Sequence, residues 1–181
     1  NRDVGLSTKA EVGDLDVGAQ ILGVLTGQDP NAPYLLRDMA ADAVSLLDHL
    51  GIAATHLVGA SMGGMIAQTI AIEHPERVLS LTSIMSTTGE SHVGQPDPSV
   101  LPVLLTPPAD DRAAAVEAGV AASRAISGPA NFDEDRARER AEQAHDRSFY
   151  PAGVGHHLLA ILASGSRAEG LQQLNVPTLV V

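Results

Sequence analysis

A serine framed by glycines, Gly59-x-Ser61-x-Gly63, constrains the fold of this chain more than any other feature. It lies between a short strand pattern at 55–58 and an apolar helix pattern that begins directly after it. A strand that turns into a helix within a few residues forces the central residue into a strained backbone conformation, and Gly59 and Gly63 are expected to let the two segments pass without a clash. The pattern therefore predicts a tight turn that lifts the Ser61 hydroxyl above the sheet.

Ser61 has two possible roles in such a turn. As a nucleophile it would attack the substrate, and the backbone N–H of Met62, in the first turn of the helix, would donate to the oxyanion that develops. As a structural residue it would cap the helix, a role that serine fills well. The strand, turn and helix around the motif favour the nucleophile.

Helix and strand patterns alternate over the first half of the chain. A helix is predicted at 34–50, a strand at 56–58, a helix at 62–73 and a strand at 78–85, and the closing residues 176–181 form a buried-strand pattern. Alternation of this kind predicts an α/β fold with a mostly parallel sheet flanked by helices on both faces. The first helix carries one apolar stripe, made by Met39, Ala43, Leu46, Leu47 and Leu50.

The pattern changes at about residue 87, where glycine and proline become frequent and strand patterns stop. Three helical stretches then follow one another, which predicts a helical lid, or cap, inserted at 89–168, between a core part at 1–88 and a return to the core at 169–181. The lid helices are expected to run from a cap at Asp110 or Asp111 to about 126, from a cap at Asn131 to about 147, and from 152 to about 164.

Both ends of the chain have the character of segments inside a fold. Residues 1–7 lack an initiator methionine and have the pattern of the tail of a strand that enters a polar turn. The last strand pattern stops at its most apolar point, Val180-Val181. We therefore expect the chain to be truncated at both ends and to form part of a longer fold.

The net charge of −11 limits the partners of this chain. Only 11 residues are Lys or Arg, which argues against nucleic acid or an anionic membrane and leaves a small molecule as the expected partner. There is no cysteine, so disulfides, thiolate metal sites and a cysteine nucleophile are excluded. The same absence fits a reducing compartment, and because the sequence has no membrane-span or signal-peptide pattern, we expect a cytoplasmic protein.

Among the seven histidines, His92 is the candidate for substrate binding. It follows the last strand of the alternating segment, on the sheet edge where ligands collect in open α/β folds; its alternative is a linker position between Gly89 and Gly94. His156-His157 have no partner four residues away, so no metal site is expected. The others are expected near helix ends, in a strand or in the charged lid helix: His49, His74, His56 and His145.

Motifs that match a known family extend from one end of the chain to the other. They are Asn1-Arg2-Asp3-x-Gly5-x-Ser7, Tyr34 with Asp38-Met39-Ala40-x-Asp42, His56-Leu57-Val58-Gly59-x-Ser61-Met62-Gly63-Gly64, His74-Pro75-Glu76-Arg77-Val78 and Val176-Pro177-Thr178-Leu179-Val180-Val181. On these residues the chain resembles the α/β-hydrolase superfamily, and within it the small lidded serine esterases of the aclacinomycin methylesterase type.

The resemblance implies hydrolysis of a carboxylic ester, of the methyl-ester or small-ester type, without a cofactor. By position, Ser61 would be the nucleophile that forms an acyl-enzyme, and the Met62 amide would be one donor of the oxyanion hole. The family's second oxyanion donor precedes the segment that matches residue 1, and its acid and histidine follow the strand at 176–181. A serine hydroxyl without its base is a poor nucleophile, so this stretch alone is expected to be almost inactive.

Other functions stay open at this stage. A serine at the elbow disfavours the haloalkane dehalogenases and epoxide hydrolases of the superfamily, which use an aspartate there. It is compatible with carbon–carbon hydrolases, thioesterases, lactonases and cofactor-free haloperoxidases. Two alternatives come from other classes: a non-catalytic member of the fold that encloses an apolar ligand, and a fragment that associates through an open sheet edge.

Overall fold

A computed structural model describes residues 1–13, 15–104, 109, 111–128 and 130–181 of the chain. Asp110, one of the two predicted caps of a lid helix, lies outside these residues. The helices and strands in chain order are α1 (Val17–Leu25), α2 (Leu36–His49), β1 (Thr55–Ala60), α3 (Met62–Glu73), β2 (Val78–Ile84), α4 (Leu101–Leu104), α5 (Arg112–Ile126), α6 (Glu134–Arg147), α7 (Ala152–Ser164), α8 (Ala168–Gln172) and β3 (Thr178–Val180).

The described strands form one parallel sheet in the order β1-β2-β3. Gly59 lies opposite Ser83, and Ser83 lies opposite Val180, so these three residues form one row across the sheet. Because all three strands run in the same direction, their carboxyl ends lie at the same edge. The predicted α/β fold with a parallel sheet is confirmed.

Helix α3 lies at the centre of the core. Its residues Gly64–Ala71 are all buried, and it contacts α2, α8 and the first two strands. Apart from Gln68 and Thr69 these buried residues are apolar or glycine, which suits a helix that is covered on every side. This packing fixes the axis of α3 and so the position of its first turn. The core consists of Tyr34, Leu36, Met39, Ala40, Val44, Met65, Ile66, Ala67, Ile70, Ala71, Val78, Leu81 and Ala160.

Several predicted elements agree with the structure. The helix predicted at 62–73 coincides with α3, and those predicted at 34–50 and 152–164 match α2 and α7 within two residues. Helix α1 has no counterpart among the predicted elements, although a cap signal is present in the sequence. The Asp16 carboxylate caps α1 by accepting from the Ala19 amide at 2.9 Å.

The buried face of α2 differs from the predicted stripe. Leu46 and Leu50 lie on the same side of the helix as Met39, seven and eleven residues further on, but they are 56% and 58% exposed. The core covers the first half of α2 and not its last turns, and a sequence pattern does not reveal where that cover ends. The buried residues of α2 are Leu36, Met39, Ala40 and Val44.

The structure confirms the predicted cap of one lid helix and corrects the predicted cap of another. The carboxylate of Asp111 accepts from the Ala114 amide at 2.9 Å and caps α5, as predicted. Helix α6 is capped by Asp133, which accepts from the Arg136 amide at 3.0 Å, so the prediction of Asn131 is wrong. Both residues are good caps by type, and the turn that precedes α6 decides between them.

Contacts divide the chain into two compact units. One comprises residues 1, 10–95 and 155–181 and contains the sheet, and the other comprises residues 2–9 and 96–154. In the second unit α5 packs on α6, and the Arg112 guanidinium lowers the pKa of the Asp146 carboxyl to about 2. A lid function of residues 89–168 stays a prediction. Three ion pairs join α5 and α6: Arg112–Asp146, Arg124–Glu134 and Arg138–Glu117.

Candidate active site

Ser61 lies in a strained turn between β1 and α3. Its backbone has φ 52° and ψ −123°, a combination that residues with a side chain rarely adopt. The Ser61 amide donates to the Ile84 carbonyl oxygen at 2.9 Å, next to the last residue pair of β1 and β2. The Ser61 carbonyl oxygen accepts from the amides of Gly64 and Met65 at 2.9 and 3.2 Å. Hydrogen bonds on both sides of the turn therefore hold the strained residue in place.

The close approach of strand and helix requires Gly59 and Gly64. A Cβ on Gly59 would lie 2.1 Å from the carbonyl oxygen of Gly63, and a Cβ on Gly64 would lie 2.7 Å from the Cβ of Ser86. A Cβ on Gly63 itself would meet no atom within 4 Å of the surrounding structure. The expectation that Gly63 lets the segments pass is therefore wrong. Gly63 takes part in the contact through its backbone oxygen, whereas the space at its own Cα is open.

The side chain of Ser61 does not cap α3. Ser61 occupies the N-cap position, but its hydroxyl makes no capping hydrogen bond. A capping serine needs extended backbone angles, which Ser61 does not have. The capping alternative is therefore wrong. The residue is exposed, and Met62, the first residue of α3, belongs to the turn whose N–H groups have no partner within the helix.

Ser86 supports the turn, although no sequence motif singled it out. Its hydroxyl donates to the Ser61 carbonyl oxygen at 2.9 Å. Ser86 follows Met85, which has φ 40° and ends β2 one residue earlier than predicted. The Met85 amide donates to the Val181 carbonyl oxygen at 2.8 Å. Two neighbouring strands thus carry a strained non-glycine residue at their carboxyl ends, which is where strain at functional sites is often found.

The structure places the histidines in different surroundings. His92 lies in an exposed turn between Gly89 and Gly94. Its role in substrate binding stays a prediction. His156 is buried, and its ring meets the Tyr34 ring edge-on with centroids 6.4 Å apart. In the part of the chain that the structure describes, no group of three His, Cys, Asp or Glu residues could hold a metal ion.

The described residues of the unit that contains the sheet line at least two cavities. The larger, about 580 Å³, lies between helices α2, α3, α7 and α8 and is lined in part by Arg37 and Glu73. The smaller, about 390 Å³, is lined in part by Ser83 and Ser86 and lies closer to the turn. Ser61 lines neither of them, so size alone does not mark the larger cavity as a substrate site.

None of the described helices is both long and apolar enough to cross a membrane.

The sheet, the strained turn and the central helix agree with a family assignment made from the sequence. Residues 21–181 match the family model of the alpha/beta hydrolase fold. This match covers well over half of the chain. The chain belongs to the α/β-hydrolase family.

Three similar proteins show how far the likeness extends. The chain is 30% identical over 171 residues to the rhodomycin D methylesterase DnrP of Streptomyces peucetius, which covers 82% of this chain and 57% of the relative. The putative carbamate hydrolase RutD of Caulobacter segnis is 32% identical over 123 residues, and the match covers 67% of this chain and 44% of the relative. The solved structure of an N-acyl homoserine lactone degrading enzyme has a TM-score of 0.57 at 26% identity, with 84% and 57% covered. The chain spans about half the length of these relatives.

The strain at Ser61 leads to a stability prediction. We expect Ser61→Gly to be more stable than Ser61→Ala by about 1 kcal/mol, since glycine relieves strain of about 1–3 kcal/mol and adds about 0.5–1 kcal/mol of chain entropy to the unfolded state. Urea unfolding of both variants measures the difference. At Ser45, which is exposed on α2, the order of stability should reverse: Ser45→Ala should be more stable than Ser45→Gly, because glycine weakens a helix. Equal stability of the two Ser61 variants would mean that the turn is not strained.

Proposed function

We propose that the protein to which this chain belongs is a serine hydrolase that cleaves a carboxylic ester, of the methyl-ester or small-ester type, through an acyl-enzyme on Ser61. The observation that carries the proposal is the Ser61 turn. It holds an exposed serine beside the first turn of a buried helix, at a backbone conformation that costs about 1–3 kcal/mol. Helix capping does not account for that cost, whereas presentation of a nucleophile does.

The proposed chemistry follows from the position of the hydroxyl. The Ser61 Oγ attacks the carbonyl carbon of the ester, and the electron pair of the C=O bond moves to its oxygen. The Met62 N–H donates to this oxyanion, and the positive end of the α3 dipole favours the same charge. Collapse of the tetrahedral intermediate expels the alcohol, and water then hydrolyses the acyl-enzyme. The hydroxyl proton passes to a general base and on to the alcohol; no residue of this chain is assigned as that base.

The named relatives support attack on a carbonyl carbon. One is named a methylesterase, one a putative carbamate hydrolase, and the solved structure is of a lactone-degrading enzyme. In esters, carbamates and lactones the carbon under attack carries an oxygen or nitrogen leaving group. An exposed serine with a backbone donor beside it suits all three groups. The methylesterase match covers 82% of this chain and the carbamate hydrolase match covers 67%, which favours an ester over a carbamate.

Reaction with a fluorophosphonate probe tests the proposal. We expect one adduct per molecule in the complete gene product, located on Ser61 by peptide mapping, because the probe phosphonylates a serine only where the hydroxyl is activated. Intact mass before and after exposure measures it. The denatured protein serves as the control and should remain unlabelled. Folded protein that stays unlabelled, or that is labelled at another serine, contradicts the proposal.

The same experiment separates the enzyme from a binding protein of this fold. A protein that binds an unreactive ester analogue but takes no probe would be a non-catalytic member. Where Ser61 is labelled, the ratio of kcat/KM values for a methyl ester, a thioester and a lactone of similar size identifies the preferred bond. We expect the methyl ester to give the highest value.

A further inference from the structure

A buried arginine joins three segments of the core. Arg167, which precedes α8, is 9% exposed. Its Nε donates to Oε1 of Gln68 at 3.1 Å, its Nη1 to the Gly165 carbonyl oxygen at 3.2 Å and its Nη2 to the Thr87 carbonyl oxygen at 2.9 Å. Its backbone amide donates to the Thr88 carbonyl oxygen at 2.8 Å. The rigid fork of the guanidinium therefore fixes α3, the loop after β2 and the end of α7 relative to one another.

The charge of Arg167 has neutral partners. The ion pairs formed among the described residues include none with this arginine. Burial lowers the pKa of Arg167, but a guanidinium remains protonated near neutral pH. Removal of a guanidinium from water carries a desolvation cost, which hydrogen bonds to neutral oxygens offset only in part. The arginine at this position therefore calls for a role besides stability.

Two routes lead from Arg167 to the Ser61 turn. In the first, Nε2 of Gln68 donates to Oγ of Ser83 at 3.1 Å, and that Oγ lies 3.1 Å from the place that a Cβ on Gly64 would take. In the second, Arg167 holds Thr87, and the residue before it, Ser86, donates to the Ser61 carbonyl oxygen. One route supports the first turn of α3 and the other supports the turn itself.

We infer that Arg167 is a positioning residue for Ser61, an inference that rests on the proposed function. It touches neither the hydroxyl nor the oxyanion donor. It holds α3 through Gln68, and through Thr87 it holds the loop after β2, whose Ser86 donates to the Ser61 carbonyl oxygen. A displacement of about 1 Å in such a support can slow a reaction about 100-fold, because the nucleophile and the oxyanion donor lose their alignment.

The test measures the rate constant of Ser61 labelling by the fluorophosphonate probe in the complete gene product. Three variants are compared with the wild type: Arg167→Lys, Ser86→Ala and the double variant. Lysine keeps the charge but cannot serve three acceptors in the fork geometry. We expect each single variant to slow labelling about 10-fold to 100-fold. The double variant should be no slower than the slower single variant, because Ser86 belongs to a loop that Arg167 holds and so acts on one of the same two routes.

A matched control is Arg77→Lys. Arg77 also donates to two backbone oxygens, those of Ala53 and Ile52, at 2.6 and 2.9 Å, and it pairs with Asp48 at 2.7 Å. It lies before β2, at the end of the strand away from Ser61. We expect this variant to lower the melting temperature without changing the labelling rate of the folded protein. A purely structural role of Arg167 would give the same result as this control.

Gln68→Met provides a second variant if Arg167→Lys does not fold. It removes the bridge from Arg167 to Ser83 while keeping the length of the side chain, and we expect slower labelling. Wild-type labelling rates in the folded Arg167 and Gln68 variants would overturn the inference and leave the proposed function standing. Effects of Arg167→Lys and Ser86→Ala that multiply in the double variant would also overturn it. Absence of labelling in the wild type would overturn both proposals.

Discussion

Replacement of Ser61 by alanine is expected to lower kcat/KM for ester hydrolysis by about 10³-fold or more in the complete gene product. The hydroxyl is the atom that bonds to the substrate, and Ser61 is the exposed residue of a turn whose backbone is already arranged around it. Hydrolysis of p-nitrophenyl acetate, followed by absorbance, measures the loss. The remaining rate should reflect the backbone donor alone.

The control for this prediction separates chemistry from folding. Alanine keeps the Cβ and so the same strain at φ 52°, which means that Ser61→Ala should unfold at nearly the wild-type urea concentration. Ser45→Ala, at an exposed position on α2, should retain wild-type activity. If Ser61→Ala retained more than about a tenth of the wild-type kcat/KM, the loss would be too small for removal of a nucleophile, and the nucleophile would be another residue.

Replacement of Gly59 by alanine is expected to have the largest effect on the fold. The new Cβ would lie 2.1 Å from the carbonyl oxygen and 2.4 Å from the carbonyl carbon of Gly63, atoms that cannot rotate away as a side chain can. The backbone must shift, and because Gly59 lies in a row with Ser83 and Val180 the shift would disturb the sheet. We expect a loss of about 3 kcal/mol or more in the free energy of unfolding, together with no labelling of Ser61.

Gly63→Ala is the matched comparison for the Gly59 variant. Both glycines frame the same serine, but a Cβ on Gly63 would meet no atom within 4 Å. Alanine within a helix is favoured over glycine by about 0.5–1 kcal/mol, so we expect this variant to be as stable as the wild type or more stable. Urea unfolding compares the two variants directly. Similar losses in both would show that the close contact between strand and helix does not limit stability.

The sequence predicted the parts of the fold that depend on neighbouring residues. Helix α3 begins after the strained turn at Ser61 and ends before the pair His74-Pro75, and apolar residues at helical spacing fill most of the positions between them. The prediction that Asp110 or Asp111 caps a helix has the same local basis, because a capping side chain such as that of Asp111 needs only an amide three residues away.

The errors concern choices that distant contacts make. Leu46 and Leu50 fit a periodic stripe, but the core does not reach them. Gly63 and Gly64 are equivalent as sequence letters, and only the position of Ser86 shows that Gly64 has the crowded Cα. Ser86 itself carries no motif, because its hydrogen bond to Ser61 spans 25 residues. Periodicity and motif spacing depend on residues that lie close together in sequence, so they do not reveal contacts between residues that lie far apart in it.

By itself the sequence determined that this chain forms an α/β fold and that Ser61 stands in a turn between a strand and a helix. Both follow from local patterns, in which hydrophobic period and glycine positions act over a few residues. The tertiary structure alone decided what supports that turn. Arg167 reaches Gln68 and Thr87 across 99 and 80 residues of sequence, and these contacts exist only after the sheet and its helices have packed. Residues so far apart in sequence form hydrogen bonds only where the fold brings them close together, so the fold determines which residues are partners.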